Sequence, residues 1–259
     1  MNFYAPKSQA QASGWTIFHS FTMWHLIYLF FCAVIIIAVM LLMKRRSIET
    51  REKSLSFLCI FLPCCQAFRI GWEVYAGVFT WQYSLPFQMC SSMSLIALLY
   101  YITKNSKFLD YFFIIGLPSA AAAILFPNLN GSYPVFYYYT WQYFFHHSLI
   151  MLIALMYVFI CGHRPKIKTV WFSGLILAVF IPLCIVLNNI INKLLNLPPD
   201  VPNSANYCWL TFGAPGTPLA LIEQITGPRF YMPGLFVFAI IIFGLMYAPF
   251  ILADMRRKK

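Results

Sequence analysis

Apolar residues dominate nearly the whole of this chain, in long stretches separated by short polar connections. Crossing a bilayer takes ~20 apolar residues per helix. Seven stretches qualify, at 23 to 43, 54 to 76, 85 to 103, 108 to 126, 141 to 161, 170 to 192 and 231 to 253. The pattern predicts an all-α, polytopic membrane helix bundle with seven transmembrane helices within residues 23–255. A short extracytoplasmic segment, 1–22, precedes it, and a basic cytoplasmic tail, 256–259, follows. The only long connection, 193–229, is rich in Pro, Asn and Gly, and a loop of that length is usually functional or disordered. Its apolar centre, 207–212, favours a cap folded back on the bundle over a solvated linker.

Basic residues set the orientation, because short cytoplasmic loops retain positive charge. With the N-terminus outside, the inner connections and tail hold Lys44, Arg45, Arg46, Arg51, Lys53, Lys104, Lys107, Arg164, Lys166, Lys168, Arg256, Arg257, Lys258 and Lys259. Only Lys7, Arg69, Lys193 and Arg229 of the 18 Lys and Arg fall elsewhere. The polar stretch KSQAQASG and a spanning-length apolar run from Met23 predict an uncleaved first helix rather than a signal peptide.

Composition fits a multi-pass protein of the cell membrane: 61% hydrophobic, 19% aromatic, 10% charged, with a mean hydropathy of +0.72. The net charge of +11 is then an inner-surface property that meets anionic lipid headgroups, which leaves a nucleic-acid partner without support. The eight cysteines show no metal or disulfide pattern. Cys32, Cys59, Cys64, Cys65, Cys161 and Cys184 lie in spans as small apolar residues. The Cys64–Cys65 pair lacks the second pair zinc would need. An external disulfide between Cys208 and Cys90 stays open beside two free thiols. No metal or cofactor is expected.

Lipid offers polar groups no partners, so those inside spans face the bundle interior and are functional candidates by default. Gln66, Arg69 and Glu73, spaced by three and four, share a face in the outer half of the second span, where an Arg69–Glu73 ion pair is expected. The third span opens with SLPFQMCSSMS, where Pro86 suits a first helical turn and Gln88 and Cys90 follow. The fifth holds YTWQYFFHHSLI, with His147 beneath Tyr143 and His146 beneath Gln142. At 1.5 Å per residue, Cys90 and His147 each lie ~9 Å below their helix starts. A thiol and an imidazole at one depth suggest covalent acyl chemistry in the outer leaflet, with Cys90 as nucleophile and His147 as base. His146 is the secondary candidate. Arg69 would bind a headgroup phosphate or an oxyanion, Glu73 would orient Arg69 or His147, and Asn188, Asn206 or Tyr207 would complete the donors. His19 and His25, near the outer end of the first helix, show no evident partner, and His163 sits in the inner basic loop, so none of the three is a strong candidate.

LPFQMCS in the third span, FFHHSLI in the fifth, and N followed by NY around the sixth span and outer loop resemble the YwaF-type bacterial membrane proteins. The resemblance runs from about the second helix to the seventh. That family is related to a vertebrate transmembrane acyltransferase that remodels ether phospholipids, for which a Cys nucleophile is implied. It places the motif cysteine on Cys90, the fifth-helix histidine on His147 and the Asn-Tyr pair on Asn206 and Tyr207. The family usually has histidine two positions before the motif cysteine, where this chain has Gln88, which accepts hydrogen bonds but no proton near neutral pH. If that position supplies the base, the chain is altered; if His147 does, only a neighbour has changed.

The implied activity is an acyltransferase or acyl hydrolase acting on an outer-leaflet phospholipid acyl donor or a lipid-linked acceptor. Two other readings stay open. One is a small-molecule binding or transport protein, although no repeat relates the first three spans to the last three. The other is a noncatalytic scaffold for membrane protein partners.

Overall fold

The computed structural model describes residues 3–4, 14–129, 133–199, 201 and 203–257. Lys7, Lys258, Lys259 and most of the first 13 residues lie outside that set. Among the described residues the regular structure is helical, with one isolated antiparallel bridge, Ile17 to Pro134. Helix α1 is Met23–Lys44, α2 Ile48–Tyr75, α3 Met89–Thr103, α4 Lys107–Leu125, α5 Tyr138–Ile160, α6 Val170–Leu194, α7 Pro218–Thr226 and α8 Tyr231–Arg257. All of these except α3 and α7 are long and apolar enough to cross a membrane. α3 has 15 residues, a length of ~22 Å at 1.5 Å per residue.

Two starts differ from those the apolar pattern predicts. α2 begins at Ile48 rather than 54, because the Ser47 side chain accepts from the Thr50 N–H and Glu49 sits in the first turn. α3 begins later, at Met89, with Gln88 in the capping position. Pro86 therefore precedes the helix. Cys90 is the second residue of α3, not two turns inside it, and a helix of this length leaves its first N–H groups without intrahelical partners.

The bundle is organised on α5, 72% of whose apolar window is buried. α1, α2 and α4 pack on it, and α3 packs on α2. Gly116 lets α4 approach closely, since a Cβ there would lie 3.0 Å from Met93 Sδ on α3 and 3.3 Å from Ile150 on α5. α6 and α8 are the reverse, with 11% and 6% of their windows buried. Their exposed rows, such as Trp171, Leu175, Val179 and Leu183, are apolar faces that suit a lipid solvent.

The C-terminal ends of α1 and α5 are tied by charged and polar groups. Arg51 donates to Met43 O, Lys44 O and Arg46 O at the end of α1, and to Ile160 O at the end of α5. One guanidinium thereby satisfies carbonyls that two helix ends leave free. Two π-helical stretches lie nearby, Phe112–Gly116 within α4 and Met156–Ile160 closing α5. Buried Asp110, just before the first, accepts from the Tyr157 hydroxyl in the second at 2.7 Å.

The long loop after α6 packs back on the bundle at 204–207. Ser204, Ala205, Asn206 and Tyr207 are buried, and α7 occupies its second half. Lys193, expected at the loop's start, belongs to α6.

Candidate active site

Gln66, Arg69 and Glu73 project from one face of α2 and are all buried. The expected Arg69–Glu73 ion pair is present. Arg69 also donates to Ser84 O at 2.8 Å and lies near Tyr139. Arg69 is therefore held by two protein acceptors, and a buried charge needs such company.

Cys90 enters from the first turn of α3. Its thiol lies close to Ser119 on α4, whose hydroxyl donates to Gly116 O at 3.0 Å. Its carbonyl lies 3.5 Å from His146 Nε2 on α5. That contact brings α3 and α5 to one level although their starts differ. A helix N-terminus also presents the positive end of its dipole, favourable to a thiolate formed there.

The two histidines are prepared differently. His147 Nδ1 is 2.6 Å from Tyr143 O. A carbonyl only accepts, so Nδ1 carries the proton and Nε2 is left with its lone pair, the state a general base requires. The His147 ring lies against Tyr143, 4.3 Å between centroids, and Tyr143 is itself close to Cys90 and donates to Ala123 O. His146 has its Nδ1 buried without a protein partner.

Further polar atoms on the same helices are buried and unpartnered among the described residues: both amide atoms of Gln66, Glu73 Oε2 and Trp72 Nε1 on α2, and Ser94 Oγ on α3. Native interiors satisfy such groups. With His146 Nδ1 they fall on α2, α3 and α5, three helices that pack on one another and form a polar locus of the bundle.

Gln88, Asn188, Asn206 and Tyr207 have other attachments. Gln88 Oε1 accepts from the Cys208 N–H at 3.0 Å. Asn188 pairs with both the N–H and the C=O of Tyr207. The Tyr207 hydroxyl accepts from Leu85 N and donates to Trp81 O. The Asn206 side chain bonds Thr211 N and Phe212 O within the loop. Together these bonds fasten the loop over the mouth of α3. Asn188→Ala is expected to cost about 1–3 kcal/mol for each Tyr207 backbone group left buried and unpaired. Hydrogen exchange should show protection lost in the loop and retained in α5; equal loss in both would remove this role.

Three side chains at the site were missed by sequence reasoning, Ser84, Ser119 and Tyr139. Only Tyr143 carried a signal, through its position one turn before His147. Cys208 lies against Cys184 and not Cys90, their sulfurs 3.8 Å apart. His25 is buried, with its ring nitrogens at Ile124 O and Phe21 N, and His163 pairs with Glu52 of α2.

The TMEM164 family model matches residues 20–247. No curated protein and no solved structure matches the chain.

Proposed function

The chain belongs to the TMEM164 family of transmembrane proteins, and from that premise we propose that it is a membrane acyltransferase or acyl hydrolase working through a Cys90 thioester. The observation that carries the reading is Cys90 in the first turn of α3, beside His146 and close to Tyr143, on which His147 rests with Nε2 unprotonated. The resemblance to YwaF-type proteins and their acyltransferase relative supports the same chemistry.

In the first half-reaction, His147 Nε2 takes the Cys90 proton and the thiolate attacks the ester carbonyl of an outer-leaflet phospholipid. First-turn N–H groups of α3 receive the oxyanion. Collapse breaks the ester C–O bond, the leaving alkoxide recovers the proton from His147, and the acyl group stays on sulfur. In the second, His147 deprotonates an alcohol, amine or water that attacks the thioester, the C–S bond breaks, and the leaving thiolate takes that proton back from His147. Ser119 holds the thiol in place. Arg69, already bonded to Glu73 and Ser84, serves as the fixed positive wall of the site. Gln88 sits outside proton transfer, as a capping residue that holds the loop.

In this reading α3 counts as a seventh crossing, completed by the turns at 80–88, with the N-terminus outside, the C-terminus cytoplasmic and the protein in the cell membrane. Its partners are membrane lipids.

The test is mass spectrometry of purified protein after incubation with a labelled diacyl phospholipid, native chain against Cys90→Ala. A hydroxylamine-sensitive acyl adduct on Cys90, lost in the variant, is expected. No adduct and no lipid turnover in folded protein would overturn the enzyme and leave the polar locus to a binding or transport role.

A further inference from the structure

Cys184 and Cys208 take no part in the acyl chemistry, yet their sulfur atoms lie 3.8 Å apart. Cys184 is fully buried on α6, and Cys208 is partly exposed in the outer loop. Both thiols are turned toward the same carbonyl, Phe87 O, at 3.7 and 3.1 Å. The loop reaches this point by two consecutive left-handed residues, Cys208 at φ 59° and Trp209 at φ 55°. That conformation is uncommon for residues other than glycine and persists only where the surroundings hold it. Here Gln88 holds the Cys208 N–H while Asn188 holds Tyr207 on both its backbone groups. Two thiols are thus presented to each other across a gap that a disulfide of ~2.05 Å closes with a shift of under ~2 Å.

We propose that Cys184 and Cys208 form a redox-modification site, a dithiol that closes to a disulfide and clips the outer loop to α6 beside the mouth of α3. The oxidant is itself a disulfide, of a small molecule or of an oxidoreductase. The Cys208 thiolate, being the accessible one, attacks a sulfur of the oxidant, breaks its S–S bond and expels one thiolate. The Cys184 thiolate then attacks the Cys208 sulfur of the mixed disulfide and expels the second. Two electrons pass to the oxidant, and the two protons lost by the cysteines end on the two thiols it becomes. Residues 185–207 are enclosed by the new link, including Asn188, Asn192 and the buried segment 204–207. The site is independent of the acyl reaction, so either assignment stands if the other fails.

The experiment uses the full chain in detergent, incubated with oxidised or reduced glutathione, blocked with N-ethylmaleimide, digested and mapped by mass spectrometry. The oxidised sample is expected to carry two fewer blocked cysteines, with a linked peptide pair containing Cys184 and Cys208 that reductant releases. Cys208→Ser and Cys184→Ser should each abolish that pair. The native-chain map needs no variant to fold. Full blocking of both cysteines after oxidation, glutathione retained on Cys208 alone, or a link from Cys208 to Cys90 would each overturn the proposal.

Discussion

Replacing Arg69 with methionine is expected to cost about 3–5 kcal/mol of stability, the scale for a buried ion pair that loses one member. Glu73 is 3% exposed and sits one helical turn from Arg69, so the substitution strands a carboxylate where water does not reach it. Ser84 O loses its donor as well. The double variant Arg69→Met, Glu73→Gln should recover most of that loss, because the amide removes the buried charge. Unfolding midpoints of the four proteins in one detergent give the coupling directly. A double-variant loss equal to the sum of the two single losses would show that the pair contributes nothing as a pair. If the double variant folds and still turns over lipid, Arg69 is structural; if it folds and is inert, the positive wall belongs to the chemistry.

The second large effect separates the two adjacent histidines. His147→Ala is expected to slow acylation of Cys90 by ~10²–10⁴-fold, the usual contribution of a positioned general base. His146→Ala should cost distinctly less, since His146 meets Cys90 through a backbone carbonyl and not through the thiol. Single-turnover acyl transfer from a labelled phospholipid measures both. The reverse ranking would assign the base to His146, whose buried Nδ1 has no protein partner.

What the sequence made legible was local. The apolar runs located six long helices and a shorter seventh, and the spacing of Arg69 and Glu73 foretold their pairing. Polarity of the second, third and fifth apolar runs pointed to α2, α3 and α5, which the structure does bring together.

What stayed hidden depends on residues far apart in the chain. Pro86 looked like a helix start because nothing nearby shows that Tyr207 binds the Leu85 N–H and keeps that segment out of the helix. Cys90 consequently looked deeper in α3 than it is. Asn188 and Tyr207 read as catalytic donors by residue type, whereas their bonds to backbone groups can be seen only once the loop has folded back. Ser119 stood among alanines with no periodic signal at all.

α4 carries a further consequence in its π-helical stretch. One residue inserted into an α-helix leaves a turn of this kind and rotates everything beyond it by ~100° relative to everything before it. Asp110 lies on the inner side of the stretch and meets Tyr157, while Ser119 lies on the outer side and meets Cys90. An uninterrupted helix would couple those two facings through a single phase. The insertion uncouples them, so that deleting one residue from Phe112–Gly116 would turn one of the two contacts away from its partner.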